Sequence, residues 1–155
     1  MTKKFLFTGI VIFLLLSMCI HGFAESVSQP AVEINGNGIG AVAHIDGKDV
    51  YLPLRAICEA LGYEVQWYGE HYTVSVSGPG KNILIDLINN KITANGHTYY
   101  MLMDGYKNIE NKIYMKTVFF SDNLGLKMQE GAQNSVIKLQ SIEENAISIK
   151  PVTEI

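Results

Sequence analysis

Apolar positions along this chain repeat with two different periods, and the switches between them mark out the elements. Leu54, Ile57, Cys58 and Leu61 fall at i, i+3, i+4 and i+7, one apolar stripe on a 3.6-residue period that predicts a helix. Pro53 suits its first turn, where the missing amide hydrogen had no partner in any case. Gly62 follows as the left-handed residue that ends it. The period then drops to two: Tyr63, Val65 and Trp67 share one side of a strand, Glu64 and Gln66 the other. "YGEH" turns the chain, and Tyr72, Val74 and Val76 alternate with Thr73, Ser75 and Ser77 in a return strand. Helix and hairpin therefore share a core, with Trp67 expected inside it.

Another hairpin precedes each of two helices. Asp46-Gly47 and Asn95-Gly96 are expected at the two central turn positions that need positive φ. "NILIDLI" is a more continuous apolar run, predicting a central strand covered on both faces, with Asn89, Asn90 and Lys91 turning into the next strand. The second helix pattern, "KTVFFSDNLG", has Lys116 where the first has Pro53. Its last turn holds Ser121, Asp122 and Asn123, all poor helix formers. A short or frayed helix is expected there, held by the packing of Phe119 and Phe120.

These patterns recur. "VYLPLRAICEALGYEVQWYGEHYTVSV" lies over "IYMKTVFFSDNLGLKMQEGAQNSVIKL" without a gap at a constant offset of 63, pairing Tyr51 with Tyr114, Leu61 with Leu124, Gly62 with Gly125, Val65 with Met128 and Val74 with Ile137. Upstream, "VEING" and "ITANG" pair Gly36 with Gly96 at an offset of 60. The expected fold class is α+β: antiparallel β-sheet hairpins packed on two short helices, built by internal duplication of a hairpin, helix, hairpin unit. The two repeats are placed at about residues 32–78 and 90–140.

The ends set the compartment. Lys3 and Lys4 precede an apolar run from Phe5 to Ile20, and Gly22 and Ala24 stand where a signal peptidase reads small residues, so residues 1–24 are expected to be a secretory signal. Two alternatives stay open. An uncleaved anchor would be shorter than the roughly 20 residues that span a bilayer comfortably, and lipidation of Cys19 would have to tolerate the large Met18 before it. Residues 25–31 read as a linker, and 141–155 as a tail in which "AISI" adds an edge strand that Pro151 ends.

Loss of the leader, with Lys3 and Lys4, takes the formal charge from −3 to −5. A mildly acidic chain with scattered lysines lacks the concentrated basic surface that nucleic acid requires. Cys58 is then the only cysteine, so no intrachain disulfide can form. One compact domain of this length can still bury an adequate core.

The run from Gly47 to Trp67, "GKDVYLPLRAICEALGYEVQW", followed by "ITANG" and a degenerate second copy, resembles the copper amine oxidase N-terminal domain, or stalk domain, family over roughly Val32 to Leu139. The resemblance implies an α+β fold with an antiparallel sheet around helices. It also implies an exported protein, chiefly of Gram-positive bacteria, often found beside surface-layer or wall-binding modules. The catalytic domain of amine oxidases uses a tyrosine oxidised in place to a quinone and three histidines on copper, in a domain far longer than this chain. Neither copper nor oxidation follows here, and no cofactor or metal is expected.

The residues agree with that. His44, His71 and His97 sit in three separate hairpins with no H-x-H or H-x-x-x-H pair, and read as solvated turn histidines, although His44 and His97 occupy comparable turns and could converge. Cys58 lies on the apolar stripe, as a small buried hydrophobe would. "NGNGIG" leads into a strand pattern and reads as hairpin turns rather than a phosphate loop. Glu59, Glu64, Glu70 and Asp86 are dispersed. Arg55 stands four residues before Glu59, an exposed pair worth a few tenths of a kcal/mol, or else an anion contact near the helix start.

Aromatic residues are the feature that suggests binding. Trp67, Tyr68, Tyr72, Tyr99, Tyr100, Tyr106 and Tyr114 are many for a small domain. Tyr68 and Tyr72 near a hairpin tip, with Arg55, form the candidate partner surface, suited to glycan rings or peptides. The function expected is that of a non-catalytic, exported stalk-like module, a binding or spacer protein of the cell surface whose partner is a cell-wall component or an extracellular protein. A small secreted enzyme or enzyme inhibitor, with a site assembled only by folding, is the alternative.

Overall fold

A computed structural model describes residues 29–129 and 136–142, so the expectations for the leader, Cys19 and the tail beyond Ile142 lie outside the described residues. The elements run β1 (Ala31–Ile34), β2 (Asn37–Val42), β3 (His44–Asp46), β4 (Asp49–Pro53), α1 (Leu54–Ala60), β5 (Glu64–Tyr68), β6 (Thr73–Gly78), β7 (Lys81–Asp86), β8 (Lys91–Ala94), β9 (His97–Tyr100), β10 (Tyr106–Ile109), β11 (Lys112–Lys116), α2 (Thr117–Leu124), β12 (Leu126–Met128) and β13 (Val136–Ser141). A single 3-10 turn, Gly69–His71, joins β5 to β6. Helices and mostly antiparallel sheets make the class α+β, as expected.

Three sheets form, in the orders β12-β13-β1-β2, β10-β11-β4-β3 and β5-β6-β7-β8-β9. One pairing departs from the expected antiparallel pattern: β1 and β13 run parallel, with Val32 beside Ile137 and Ile34 beside Leu139. Strands so far apart in sequence need no tight turn between them, so nothing forces the antiparallel sense. Asn35 locks the seam. Its backbone N–H donates to the Leu139 carbonyl at 2.9 Å, its side-chain amide donates to the Ser141 hydroxyl, and its side-chain oxygen accepts the Ser141 N–H.

Both helices spring directly from the central strands of the second sheet, β4 and β11, which pair at Tyr114–Pro53, Met115–Leu52 and Lys116–Tyr51. Leu52 and Met115 point into the core, fully buried with Leu54, Ile57 and Cys58 of α1 and Phe120 of α2. Val74, Val76, Ile83, Ile85 and Ile92 close it from the five-stranded sheet, and Val32, Ile34, Leu126, Ile137 and Leu139 from the first. All three sheets thus share one core.

Local chemistry explains the boundaries. At the end of α1, Gly62 takes φ +82°, the Tyr63 N–H donates to the Cys58 carbonyl and the Gly62 N–H to that of Glu59. Both bonds of a Schellman cap are therefore made. Asn95-Gly96 takes positive φ at both positions (49° and 84°), as expected, and Asn35-Gly36 and Glu110-Asn111 do the same.

Several expectations are corrected. Asp46 belongs to β3, paired with Asp49, so the turn falls one residue later, on Gly47 and Lys48, where Gly47 takes φ +60°. β7 is central in its sheet, but Leu84 is exposed while Ile83 and Ile85 are buried, so only one face is covered. Tyr72 does not begin the return strand; it ends the 3-10 turn at φ +48°, which turns it away from Val74 and Val76. α2 is short, as expected, but its 8 residues run unbroken and exceed the 7 of α1. Buried Asn123 holds its last turn, since its amide donates to the Phe119 carbonyl at 2.8 Å and its oxygen accepts the Tyr99 hydroxyl at 2.7 Å.

Candidate functional site

A groove of about 500 Å³ opens beside α1. Pro53, Leu54, Arg55, Ala56 and Glu59 form one side, Gly40 to Val42 of β2 another, and Val65, Trp67 and Val74 a third. The β10–β11 hairpin closes it with Asn108, Asn111, Lys112, Ile113 and Tyr114. Small residues at Gly40, Ala41 and Ala56 keep the space open, and the side chains of Asn108, Asn111 and Lys112 are exposed.

Trp67 is the wall of this groove and not part of the core. Strand parity does put it on the side of buried Val65, but Trp67 is 43% exposed. Val74, its partner on β6, is buried, but β5 is the edge strand of its sheet and Trp67 opens onto the groove, so inward parity there does not mean burial. Tyr72 meets the indole edge to face, with ring centroids 6.0 Å apart and planes at 87°. Gly69 lies under it, for a Cβ there would sit 3.2 Å from the indole nitrogen. Sequence parity alone could not reveal the groove beside this edge strand.

The three candidates from sequence separate. Arg55 lines the groove; its guanidinium donates to Glu59 at 3.0 Å and to the Val65 carbonyl at 2.7 Å, so it ties α1 to β5 as well as forming the expected pair. Tyr72 lies behind Trp67 and steadies it. Tyr68 is exposed on the opposite face, where its hydroxyl donates to the Gln66 side chain.

A second cluster, missed in the sequence, surrounds buried Tyr51. The Tyr51 hydroxyl donates to the Asp104 carbonyl at 3.0 Å. Lys107 and Lys116 place their ammonium groups 5.0 and 5.7 Å from its ring centroid. Lys107 pairs with Asp46 at 2.6 Å, and Lys116 with Asp49 at 3.1 Å and with Asp104. The hydrogen bond to Asp104 holds the Lys116 ammonium well above the usual lysine range. The same contact lowers Asp104, and the hydrogen bond from Lys107 lowers Asp46. Ion pairing favours the charged form of both amines. Their ligating acids lie as far as 67 residues from the amine in sequence, as with Asp49 and Lys116, and no periodicity links them.

The family model of the copper amine oxidase N-terminal domain matches residues 33–139. The chain belongs to this family. No curated protein and no solved structure matches it. Groove and Tyr51 cluster both lie inside the matched span. The copper amine oxidase N-terminal domain is a non-catalytic module in this family.

Among the described residues the donors do not fit the copper of the family's name. His44 packs against Tyr51 and Tyr114, with centroids 6.3 and 6.5 Å away, rather than standing solvated at a turn. His71 lies in the 3-10 turn and His97 on the edge strand β9, in a different sheet from His44. Among the described residues no three His, Cys, Asp or Glu side chains come together as metal ligands do. Cys58 is fully buried, and burial, with the Glu59 charge, pushes its thiol up to about 12. Among the described residues no helix is long and apolar enough to cross a membrane.

Proposed function

We propose that this stalk-like module is exported and binds a cell-wall saccharide in the Trp67 groove without transforming it. The observation that carries the reading is the exposed indole walling a groove of about 500 Å³, a size that accepts a short oligosaccharide. A pyranose presents one apolar face to an aromatic ring, and its hydroxyl or acetamido groups need donors and acceptors such as Asn108, Asn111 and Lys112 supply at the rim. Residues 1–24 are the export signal in this reading, residues 25–31 a linker, residues 32–140 the module, and the cell surface its place of work.

The module is read as a duplication of about 32–78 and 90–140. Equal spacing supports this: β4 and β11, and likewise β6 and β13, start 63 residues apart. The sheets support it as well. The β12–β13 hairpin lies beside β1–β2, with β13 parallel to β1, and β5–β6 lies beside β8–β9 with β7 inserted. Because β7 is antiparallel to both neighbours, β6 and β8 also run parallel.

Trp67 is the chain's single tryptophan, so its fluorescence reports on the groove alone. Titration with soluble wall oligosaccharides should shift or quench the emission, and Trp67→Ala should weaken retention on purified wall by about tenfold or more. Retention unchanged in Trp67→Ala, with emission indifferent to every wall fragment, would refute the reading.

A further inference from the structure

Among the described residues the three sheets have six edge strands, and five are visibly blunted. β5 carries Glu64, β10 Lys107, β12 Lys127 and β3 Asp46, while β2 contains two glycines, one at φ +67°, and a break in its register with β1. Charges, kinks and bulges of this kind keep an edge from pairing with another chain. β9, His97 to Tyr100, carries no Lys, Arg, Asp or Glu, no glycine, no proline and no register shift, and all four residues are exposed.

The direction of its free amides follows from the turn. A two-residue turn at Asn95-Gly96 makes Ala94 and His97 a hydrogen-bonded pair, and antiparallel ladders alternate. Ile92–Tyr99 is then hydrogen-bonded too, while Thr93–Thr98 and Lys91–Tyr100 are not. The 2.9 Å contact between the Thr93 and Thr98 hydroxyls suits the closer, non-bonded kind of pair. Thr98 and Tyr100 therefore aim N–H and C=O outward, and no strand among the described residues takes them up.

We propose that β9 is a homotypic docking edge, at which a second copy of this chain adds its own β9 antiparallel about a two-fold axis through Tyr99. In that register Thr98 exchanges both backbone hydrogen bonds with Tyr100 of the second copy, and the reverse, so each outward amide is satisfied. An edge without Lys, Arg, Asp or Glu sets no like charges against each other when it meets its own copy, and on that ground the occupant is a second copy. His97 falls opposite Met101, which brings no like charges together. Tyr100, Leu102 and Met103, exposed by 75%, 69% and 92%, form an apolar patch beside this edge. The two five-stranded sheets become one. With so short a seam the interface falls below the standard size, so the dimer is weak and dependent on concentration.

The test is sedimentation velocity of the naturally processed protein across a concentration series reaching about 1 mM, with wild type beside Thr98→Pro and Tyr100→Lys. Proline at 98 removes an outward N–H while leaving the β8 ladder intact, a position where edge strands accept it, and far-UV circular dichroism checks the fold. Wild type should shift from monomer toward dimer, and both variants should raise the apparent dissociation constant by about tenfold or more. A wild type that stays monomeric throughout, or variants that dimerise as it does, would overturn the proposal. Because Trp67 lies on the opposite edge strand, β5, fluorescence titration of wall fragments should be the same in all three proteins.

Discussion

α1 and α2 rise from neighbouring strands into one core, yet they are specified in opposite ways. α1 has a continuous apolar stripe, a proline at its entry and a full glycine cap, so short-range chemistry defines it. α2 ends in Ser121, Asp122 and Asn123 and is nonetheless the longer helix. What holds it is tertiary: Phe119 and Phe120 meet at right angles with ring centroids 5.2 Å apart, and Asn123 is gripped by Phe119, Tyr99 and, at its carbonyl, Lys81. Packing and buried hydrogen bonds outweigh weak propensity there, which totals only about 0.5–0.7 kcal/mol per residue.

The sharpest break of this comparison is Phe120→Ala. Removing a fully buried ring from α2 should lower stability by about 3–5 kcal/mol in chemical denaturation. A loss below about 1 kcal/mol would mean that α2 stands by itself. Asn123→Ala sets two effects against each other. Alanine favours a helix by about 0.7 kcal/mol, whereas leaving the Tyr99 hydroxyl without its acceptor costs about 1–3 kcal/mol. Net destabilisation is expected; a variant more stable than wild type would hand α2 back to propensity.

Smallest is an acid effect at the entry to α2, where Lys116 precedes the helix and binds Asp104. The folded pKa of Asp104 lies below its ordinary 3.8. Its contribution is therefore present above about pH 4 and lost as the pH falls through the folded value. Melting temperatures measured from pH 5 to pH 2 should fall less steeply in Asp104→Asn than in wild type, while the entry to α1 at Pro53, which bears no ion pair, supplies no such dependence.

Legibility in the sequence follows the same division. The α1 stripe, the Gly62 cap, the Asn95-Gly96 turn and the buried Cys58 could be read because each depends on residues within one or two turns of one another. α2's length, the parallel seam of β1 with β13 and the Tyr51 cluster could not, since each is settled by residues 24 to 106 positions apart. Trp67 marks the boundary. Its parity was legible, but its exposure follows from the edge position of β5 and the groove beside it, which are set by strands distant in sequence. Of the candidate site, Arg55 and the aromatic character were visible beforehand, and the groove that joins them was not.

The parallel seam has a mechanical consequence. The chain enters β1 at one end of that ribbon and leaves β13 at the other, so tension transmitted through the flanking segments pulls the two strands past each other along their length. Hydrogen bonds loaded in this way must rupture together, whereas a hairpin pulled from its open end unzips one bond at a time. A domain loaded in this way would hold until the first and last of its described strands part.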